Sequence, residues 1–299
     1  MANGFFRRLF RRSQHDTSSR NLRHSAELEP PPLFSAGDAR SPIGEYLCAD
    51  IGMLSDAGSV REINEDNIRV VRPLDSDELS KRGVLLVVAD GMGGHNAGEI
   101  ASQLAVQVVV RHHADDLQDP AMSLARSVER ANRVIVQTAS EDARYKGMGT
   151  TCTVLLLRGG LAYCAHVGDS RLYLMRSNDI FLMTEDHSAV MDLVRQGAMT
   201  HEEARHHPER SVIVRALGAR DDVDVALWEK PLAVRAGDTF LICTDGLYDL
   251  VDDEELRDAM RGVVPQLACE HLVELARQRG GPDNITVAIV AVSEYPRAS

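Results

Sequence analysis

The sequence predicts an α+β fold, an α-β-β-α sandwich in which two antiparallel sheets pack together and pairs of helices cover them. Signals for β-hairpins outnumber strand–helix–strand crossovers, which favours antiparallel pairing over a parallel doubly wound sheet. The candidate helices also follow one another in pairs. The candidate strands are apolar on both faces, and two packed sheets with helices outside would cover both.

The first clear strand is the apolar, β-branched run at residues 84–89, which is typical of a buried strand. Apolar residues at helical spacing then predict two helices, over residues 97–111 and 120–140. The next two apolar runs, at 151–157 and 161–167, flank an Arg-Gly-Gly turn. They therefore predict a β-hairpin.

A second hairpin is predicted over residues 171–175 and 180–183, with Ser-Asn-Asp between its strands. The sequence Thr-His-Glu-Glu at 200–203 has the pattern of a capping box and predicts the start of a helix. The remaining predicted elements are a buried strand at 239–243, a helix at 265–279 that ends at two glycines, and a strand at 285–292.

The chain divides into a tail and one domain. Residues 1–45 are basic at their start and contain three consecutive prolines, so we expect a disordered N-terminal tail. Residues 46–293 contain no linker-like stretch and are predicted to form a single domain. Residues 294–299 then form a short C-terminal tail.

Composition and charge exclude several classes of function. The chain of 299 residues carries a net charge of -12, which argues against a nucleic-acid-binding surface. No apolar run is long enough to span a membrane. Five Cys without C-x-x-C spacing indicate core residues in a reducing compartment, so we expect a cytoplasmic protein without a zinc site.

The basic segment at residues 4–12 has two interpretations. Its Phe and Arg side chains are compatible with a weak contact to a membrane surface or to a partner protein. A segment this short gains little free energy from burial, so an arm without a specific role is the alternative.

Four Asp-containing motifs lie beside predicted strands. Asp90, Asp169 and Asp245 follow apolar runs, and Asp283 precedes the last one. Several carboxylates in one pocket repel each other until a hard cation neutralises them. Carboxylate, carbonyl and water oxygens suit Mn²⁺ or Mg²⁺ better than zinc. The pattern therefore predicts a metal-dependent enzyme.

Together with an upstream Arg and two acids, these motifs resemble those of the metal-dependent Ser/Thr protein phosphatases of type 2C (the PPM family), specifically the bacterial branch. The resemblance covers roughly residues 46–293 and implies the sandwich fold of that family. The matching parts are Arg61 with Glu65 and Asp66, DGMGG at 90–94, GMGTT at 147–151, GDSR at 168–171, TDGL at 244–247 and GPDN at 281–284.

The resemblance implies a site for two Mn²⁺ or Mg²⁺ ions and for a third, weaker ion. Asp90 would bridge the first two ions. The carbonyl of Gly91 would bind one of them, and Asp245 and Asp283 the other. Asp169 would help to hold the third ion, as the matching Asp does in bacterial members.

Three residues nearer the start of the domain receive roles from the same resemblance. Glu65 and Asp66 would orient waters at the metal site. Arg61 would hold the substrate phosphate, a task that suits its planar guanidinium. The water activated by the two ions would attack phosphorus directly, without a protein nucleophile.

The implied activity is hydrolysis of phosphoserine and phosphothreonine in proteins, in opposition to a bacterial Ser/Thr kinase. The expected partners are that kinase and its phosphorylated substrates. A catalytically silent, phosphoprotein-binding module of the same fold is the alternative.

The chain departs from the family at one position. Met92 stands where several eukaryotic members have a His that is proposed to donate a proton. His95 is a substitute by proximity in sequence only, and His166 fits a core histidine better. Residues 184–217 resemble the mobile flap that lies beside the active site in the family.

Overall fold

A computed structural model of the protein describes residues 47–94, 97–115 and 119–294. The predicted tail at 1–45, His95 and residues 295–299 lie outside this part of the chain. Within the described ranges, no helix has both the length and the apolar character needed to cross a membrane.

Strands and helices cover most of the described chain. The strands are β1 (Leu47–Asp56), β2 (Asn67–Val71), β3 (Val84–Ala89), β4 (Gly91–Met92), β5 (Gly149–Thr150), β6 (Cys152–Arg158), β7 (Leu161–Val167), β8 (Arg171–Arg176), β9 (Asp179–Leu182), β10 (Ala226–Leu227), β11 (Leu232–Ala233), β12 (Thr239–Cys243) and β13 (Ile285–Glu294). The helices are α1 (Ser76–Arg82), α2 (Ala97–Asp115), α3 (Pro120–Glu141), α4 (Ala189–Arg195), α5 (His201–Arg205), α6 (Asp245–Tyr248), α7 (Asp253–Met260) and α8 (Pro265–Gln278).

The strands form two main sheets, in which the paired strands are antiparallel, as predicted. Sheet A has the order β1-β13-β12-β8-β9. Sheet B has the order β10-β7-β6-β3-β2, with β11 also pairing with β7. Strands β4 and β5 form a separate two-stranded ribbon.

Alternation of side chains along the strands divides the core into three layers. In β3, Leu85 packs with residues of α2 and α3, whereas Leu86 faces the other sheet. In β12, Leu241 packs with residues of α7 and α8, whereas Phe240 contributes to the layer between the sheets. The layers therefore run helices, sheet B, sheet A, helices, and the predicted α-β-β-α sandwich is confirmed.

Most elements predicted from apolar runs are present, with small differences at their ends. The strands at 84–89 and 239–243 have the predicted bounds, whereas α2 and α3 extend to Asp115 and Glu141. Thr200 makes both hydrogen bonds of the predicted capping box. In the second hairpin, Asp179 belongs to β9 and not to the turn, because Ser177 and Asn178 alone adopt positive φ and reverse the chain.

Sequence reasoning did not predict β1. This strand lies at the edge of sheet A, and of its residues only Gly52 is fully buried. A half-buried edge strand can mix polar and apolar residues, so its sequence lacks the continuous apolar run that marks β3.

Candidate metal centre

Strand register brings the four Asp motifs to one end of the sandwich. Asp90 follows β3 and Asp169 follows β7, and both strands pair with β6. Asp245 follows β12 and Asp283 precedes β13, and these two strands pair with each other. Because β12 also pairs with β8, which begins just after Asp169, the two sheets contribute their carboxylates to the same end.

Hydrogen bonds fix the backbone around Asp90. Its N–H donates to Thr151 Oγ1 at 2.8 Å. Its carbonyl accepts from Thr150 Oγ1 at 2.8 Å and from the Thr151 N–H at 2.9 Å. The next residue, Gly91, is enclosed so tightly that an added Cβ would lie 2.2 Å from the carbonyl oxygen of Gly98. Only glycine permits such a close backbone approach.

Asp66 is buried beside this loop. Its Oδ2 accepts a hydrogen bond from Thr244 Oγ1 at 2.9 Å, and its Oδ1 is buried without a hydrogen-bond partner. Thr244 immediately precedes Asp245, so the hydrogen bond joins the two acidic segments. An unpaired buried carboxylate oxygen is unfavourable, and a cation or its waters would relieve it.

Glu65 lies against the first turn of α2. Its Oε1 is also buried without a hydrogen-bond partner, and a Cβ added at Gly98 would lie 2.5 Å from this atom. Burial raises the pKa of Glu65, whereas the backbone amides of Gly98 and Glu99 lower it. The start of α2 therefore limits where this carboxylate can lie.

Arg61 lies at the rim of the acidic cluster. Its Nη2 donates to Asp283 Oδ2 at 2.9 Å. The side chain of Arg61 is 51% exposed and that of Asp283 is 37% exposed, so the ion pair is open to solvent. An exposed pair of this kind contributes little to stability and can exchange partners readily.

The buried acids oppose each other's ionisation. Burial raises the pKa of Asp66 to about 7, that of Asp169 to about 8 and that of Asp245 to about 6. Burial also raises the pKa of Asp90 well above its usual range, and the charges of Asp66 and Asp245 raise it further. Mutual repulsion of this kind shows that the carboxylates share one electrostatic environment.

The donor set fits hard cations. Within the described ranges, no group of three or more His, Cys, Asp or Glu side chains is already placed to hold a metal ion. Mg²⁺ instead binds through one or two carboxylates and keeps several waters, and Mn²⁺ accepts the same oxygen ligands. Clustered acids with raised pKa and two unpaired carboxylate oxygens match that mode of binding.

These raised pKa values predict how the metal-free protein responds to pH. The folded state holds protons on Asp66, Asp169 and Asp245 up to about pH 6 to 8, whereas the unfolded chain releases them near its ordinary pKa of about 4. The stability that these groups contribute is therefore complete below about pH 4 and is lost as the pH rises to about 8.

We expect the melting temperature in EDTA to fall between about pH 5.5 and 8, and added Mn²⁺ to reverse the fall, since metal binding favours the deprotonated carboxylates. Thermal unfolding followed by circular dichroism at several pH values measures this. A melting temperature in EDTA that rises across the same interval would contradict it. The variant Asp169→Asn, which lacks one of the titrating groups, should show a smaller fall.

Sequence reasoning assigned no role to Asn284. Its Nδ2 donates to the carbonyls of Ala57 at 3.0 Å and Ile63 at 2.9 Å, and its Oδ1 accepts from the Glu65 N–H at 2.8 Å. The side chain therefore holds the loop that carries Arg61 and Glu65. The Gly-Pro-Asp-Asn motif marked the position, but no local pattern indicates which distant backbone groups the amide meets.

His166 lies where a core histidine is expected. It is buried, its Nδ1 lies 2.9 Å from Thr153 Oγ1, and burial lowers its pKa to about 4. Met92 lies in β4, which pairs with β5. The flap-like residues 184–217 contain α4 and α5, and Arg210 in this segment donates to Asp249 Oδ2 at 3.0 Å, just after α6.

The chain is similar in sequence to known metal-dependent protein phosphatases. A family model for protein phosphatase 2C matches residues 62–278. The chain is 39% identical over 246 residues to the serine/threonine protein phosphatase PstP of Mycobacterium tuberculosis, covering 81% of this chain and 44% of that protein. It therefore spans less than half the length of that relative. It is 35% identical over 251 residues to the protein phosphatase PhpP of Streptococcus pneumoniae, covering 82% of this chain and 98% of that protein.

A solved structure gives a further match. The catalytic domain of PstP in complex with 2 manganese ions superposes with a TM-score of 0.72 at 36% sequence identity, covering 83% of this chain and 99% of that one.

Proposed function

Because the chain belongs to the protein phosphatase 2C family, we propose that it hydrolyses phosphoserine and phosphothreonine in proteins, in a reaction that requires Mn²⁺ or Mg²⁺. The observation that carries the proposal is the cluster of buried carboxylates at one end of the sandwich, with raised pKa values and unpaired oxygens. Such a cluster lacks its countercharge, and divalent cations supply it.

Asp90, the carbonyl of Gly91, Asp245 and Asp283 would hold two ions, and Asp169 would help to hold a third. When bound, the ions lower the pKa of the attacking water and neutralise charge on the phosphoryl oxygens. The catalytic domain of PstP was solved in complex with 2 manganese ions, which supports a site for two ions. The tight turn at Gly91, where an added Cβ would lie 2.2 Å from the Gly98 carbonyl oxygen, fixes the backbone next to Asp90.

The chain's own residues complete the site. The unpaired oxygens of Glu65 and Asp66 can accept hydrogen bonds from water and so orient it. Arg61 can release Asp283 and bind the substrate phosphate through two N–H groups, since its ion pair is exposed. Met92 carries no transferable proton, so a water at the site would have to protonate the leaving Ser or Thr oxygen.

The proposal extends to partners and location. The domain would comprise residues 46–293, act in the cytoplasm, and oppose a Ser/Thr kinase by removing phosphate from its substrates. The basic segment at residues 4–12, in the tail, would at most contact a membrane surface weakly.

Phosphate release from a phosphothreonine peptide tests the proposal. We expect purified protein to release phosphate with Mn²⁺ and to lose this activity in EDTA. The variant Asp245→Asn should fold but release far less phosphate, because a metal ligand has lost its charge. Activity that persists in EDTA would refute the metal assignment. Metal binding without release from any phosphoprotein would favour the silent, phosphoprotein-binding module.

A further inference from the structure

One side chain outside the acidic cluster binds the backbone of a metal-site loop. His187 is 5% exposed, and its Nδ1 accepts a hydrogen bond from the Gly168 N–H at 3.0 Å. The N–H of His187 donates in turn to the Gly168 carbonyl at 2.8 Å. A single residue thus satisfies both backbone polar groups of Gly168, which immediately precedes Asp169.

Gly168 needs such support. Its φ is 109°, and an added Cβ would lie 2.5 Å from Thr151 Cγ2, so only glycine fits here. Glycine has no side chain with which to hold one conformation. The direction in which Asp169 leaves this turn therefore depends on the hydrogen bonds made to Gly168.

The other side of the loop is already anchored. Ser170 Oγ lies 2.8 Å from Thr151 Oγ1, and the same Thr151 oxygen accepts the N–H of Asp90. Asp169 therefore lies between two supports, one shared with Asp90 and one made by His187. The second support also reaches the flap-like segment, since the Val214 N–H donates to the His187 carbonyl at 2.9 Å.

To accept a hydrogen bond from the Gly168 N–H, Nδ1 of His187 must be unprotonated. Burial, together with the nearby His166 and Arg215, lowers the pKa of His187 to about 3. At neutral pH the ring is therefore uncharged. Because Nδ1 accepts from the Gly168 N–H, it carries no proton, and Nε2 lies 3.4 Å from Arg215 Nη1.

We propose that His187 is a positioning residue for the metal ion at Asp169, acting through its two hydrogen bonds to Gly168. The inference rests on the proposed function, since it presumes that Asp169 binds an ion. Groups that orient a metal ligand typically change metal affinity by about 10- to 100-fold when they are removed. The two ions that the other Asp residues would hold would not be bound through the residue next to Gly168, so we expect them to be less affected.

Two variants with the same chemistry separate positioning from general packing. In His187→Asn the amide oxygen lies about where Nδ1 was, so the bond from Gly168 can persist. In His187→Gln the amide reaches the position of Nε2, and the Gly168 N–H loses its acceptor. His206→Gln is the matched control, because the side chain of His206 is 79% exposed and its Nε2 lies 3.6 Å from the exposed Glu202 Oε1.

The experiment titrates metal-stripped, full-length protein with Mn²⁺ and follows free Mn²⁺ by electron paramagnetic resonance. We expect wild type, His187→Asn and His206→Gln to share one binding curve. In His187→Gln the weakest class of ion should bind about 10-fold or more less tightly, with the tighter ions unchanged. Amide hydrogen exchange at Gly168, measured without metal, should be faster in His187→Gln alone.

Two results would overturn the inference: a binding curve for His187→Gln that matches wild type, or one for His187→Asn that is as weak as that of His187→Gln. In either case the tight ions and the phosphatase activity of the wild type would leave the proposed function intact. Failure of the wild type to bind Mn²⁺ at all would instead refute the proposed function, and this inference with it.

Discussion

Replacing Asp90 with Asn should abolish phosphate release while raising the stability of the metal-free protein. Asn has nearly the same size as Asp but no charge. It would therefore remove the acid whose ionisation is opposed by burial and by several neighbouring carboxylates. The same change removes the proposed bridge between two ions. Loss of several kcal/mol of charge stabilisation corresponds to a rate decrease of about 10³-fold or more.

Two measurements check this result. Phosphate release with saturating Mn²⁺ reports the loss of activity. Thermal unfolding in EDTA at about pH 8, above the raised pKa values of Asp66 (about 7) and Asp245 (about 6), reports the gain in stability. The control is Asp50→Asn, since Asp50 is an exposed residue of β1 and should change neither quantity. A metal-free Asp90→Asn protein that melts below wild type would contradict the account of mutual repulsion, and retained activity would contradict the bridging role.

The second large effect is expected from Asn284→Ala. The substitution would leave three buried or partly buried backbone groups, in Ala57, Ile63 and Glu65, without their hydrogen-bond partner. Unpaired groups of this kind cost about 1 kcal/mol or more each, so the free energy of unfolding should fall by roughly 3 kcal/mol. The freed loop carries Arg61 and Glu65. We therefore expect the rate of phosphate release to fall by more than the loss of folded protein alone would explain.

Asn132 provides a matched control on the other side of sheet B. Its amide also makes three backbone hydrogen bonds, donating to the carbonyls of Arg220 and Asp221 and accepting from the Gly218 N–H. Asn132→Ala should therefore lower the free energy of unfolding by a similar amount, measured by urea denaturation. At temperatures where both variants are folded, only Asn284→Ala should lose most of its phosphate release. Equal activity in the two variants would show that the loop at residues 57–65 does not need Asn284 for catalysis.

The hydrogen bonds of the two asparagines could not be predicted from the sequence, whereas the buried strands could. The apolar runs of β3 and β12 predicted buried strands, because a strand buried on both faces has apolar residues at consecutive positions. Asp90 and Asp245 could be proposed as site residues for the same reason, since each follows such a run. Asn284 meets the carbonyl of Ala57 at a separation of 227 residues, and no local pattern encodes that distance.

His187 is a similar case. Its sequence context, Glu-Asp-His-Ser, predicts a polar loop, and only the fold brings the ring to Gly168. The short helices α4, α6 and α7 and the edge strand β1 were also missed, because their lengths or mixed burial give weak periodic signals. Long apolar elements and the acids beside them were thus predictable, whereas the side chains that support those acids were not.

The proposed acidic ligands come from both sheets: Asp90 follows a strand of sheet B, and Asp245 follows a strand of sheet A. Ions bound between them would tie the two halves of the sandwich together, and ligand binding to the folded state alone shifts the folding equilibrium by mass action. Supply of manganese or magnesium would then set the lifetime of the protein as well as its turnover rate.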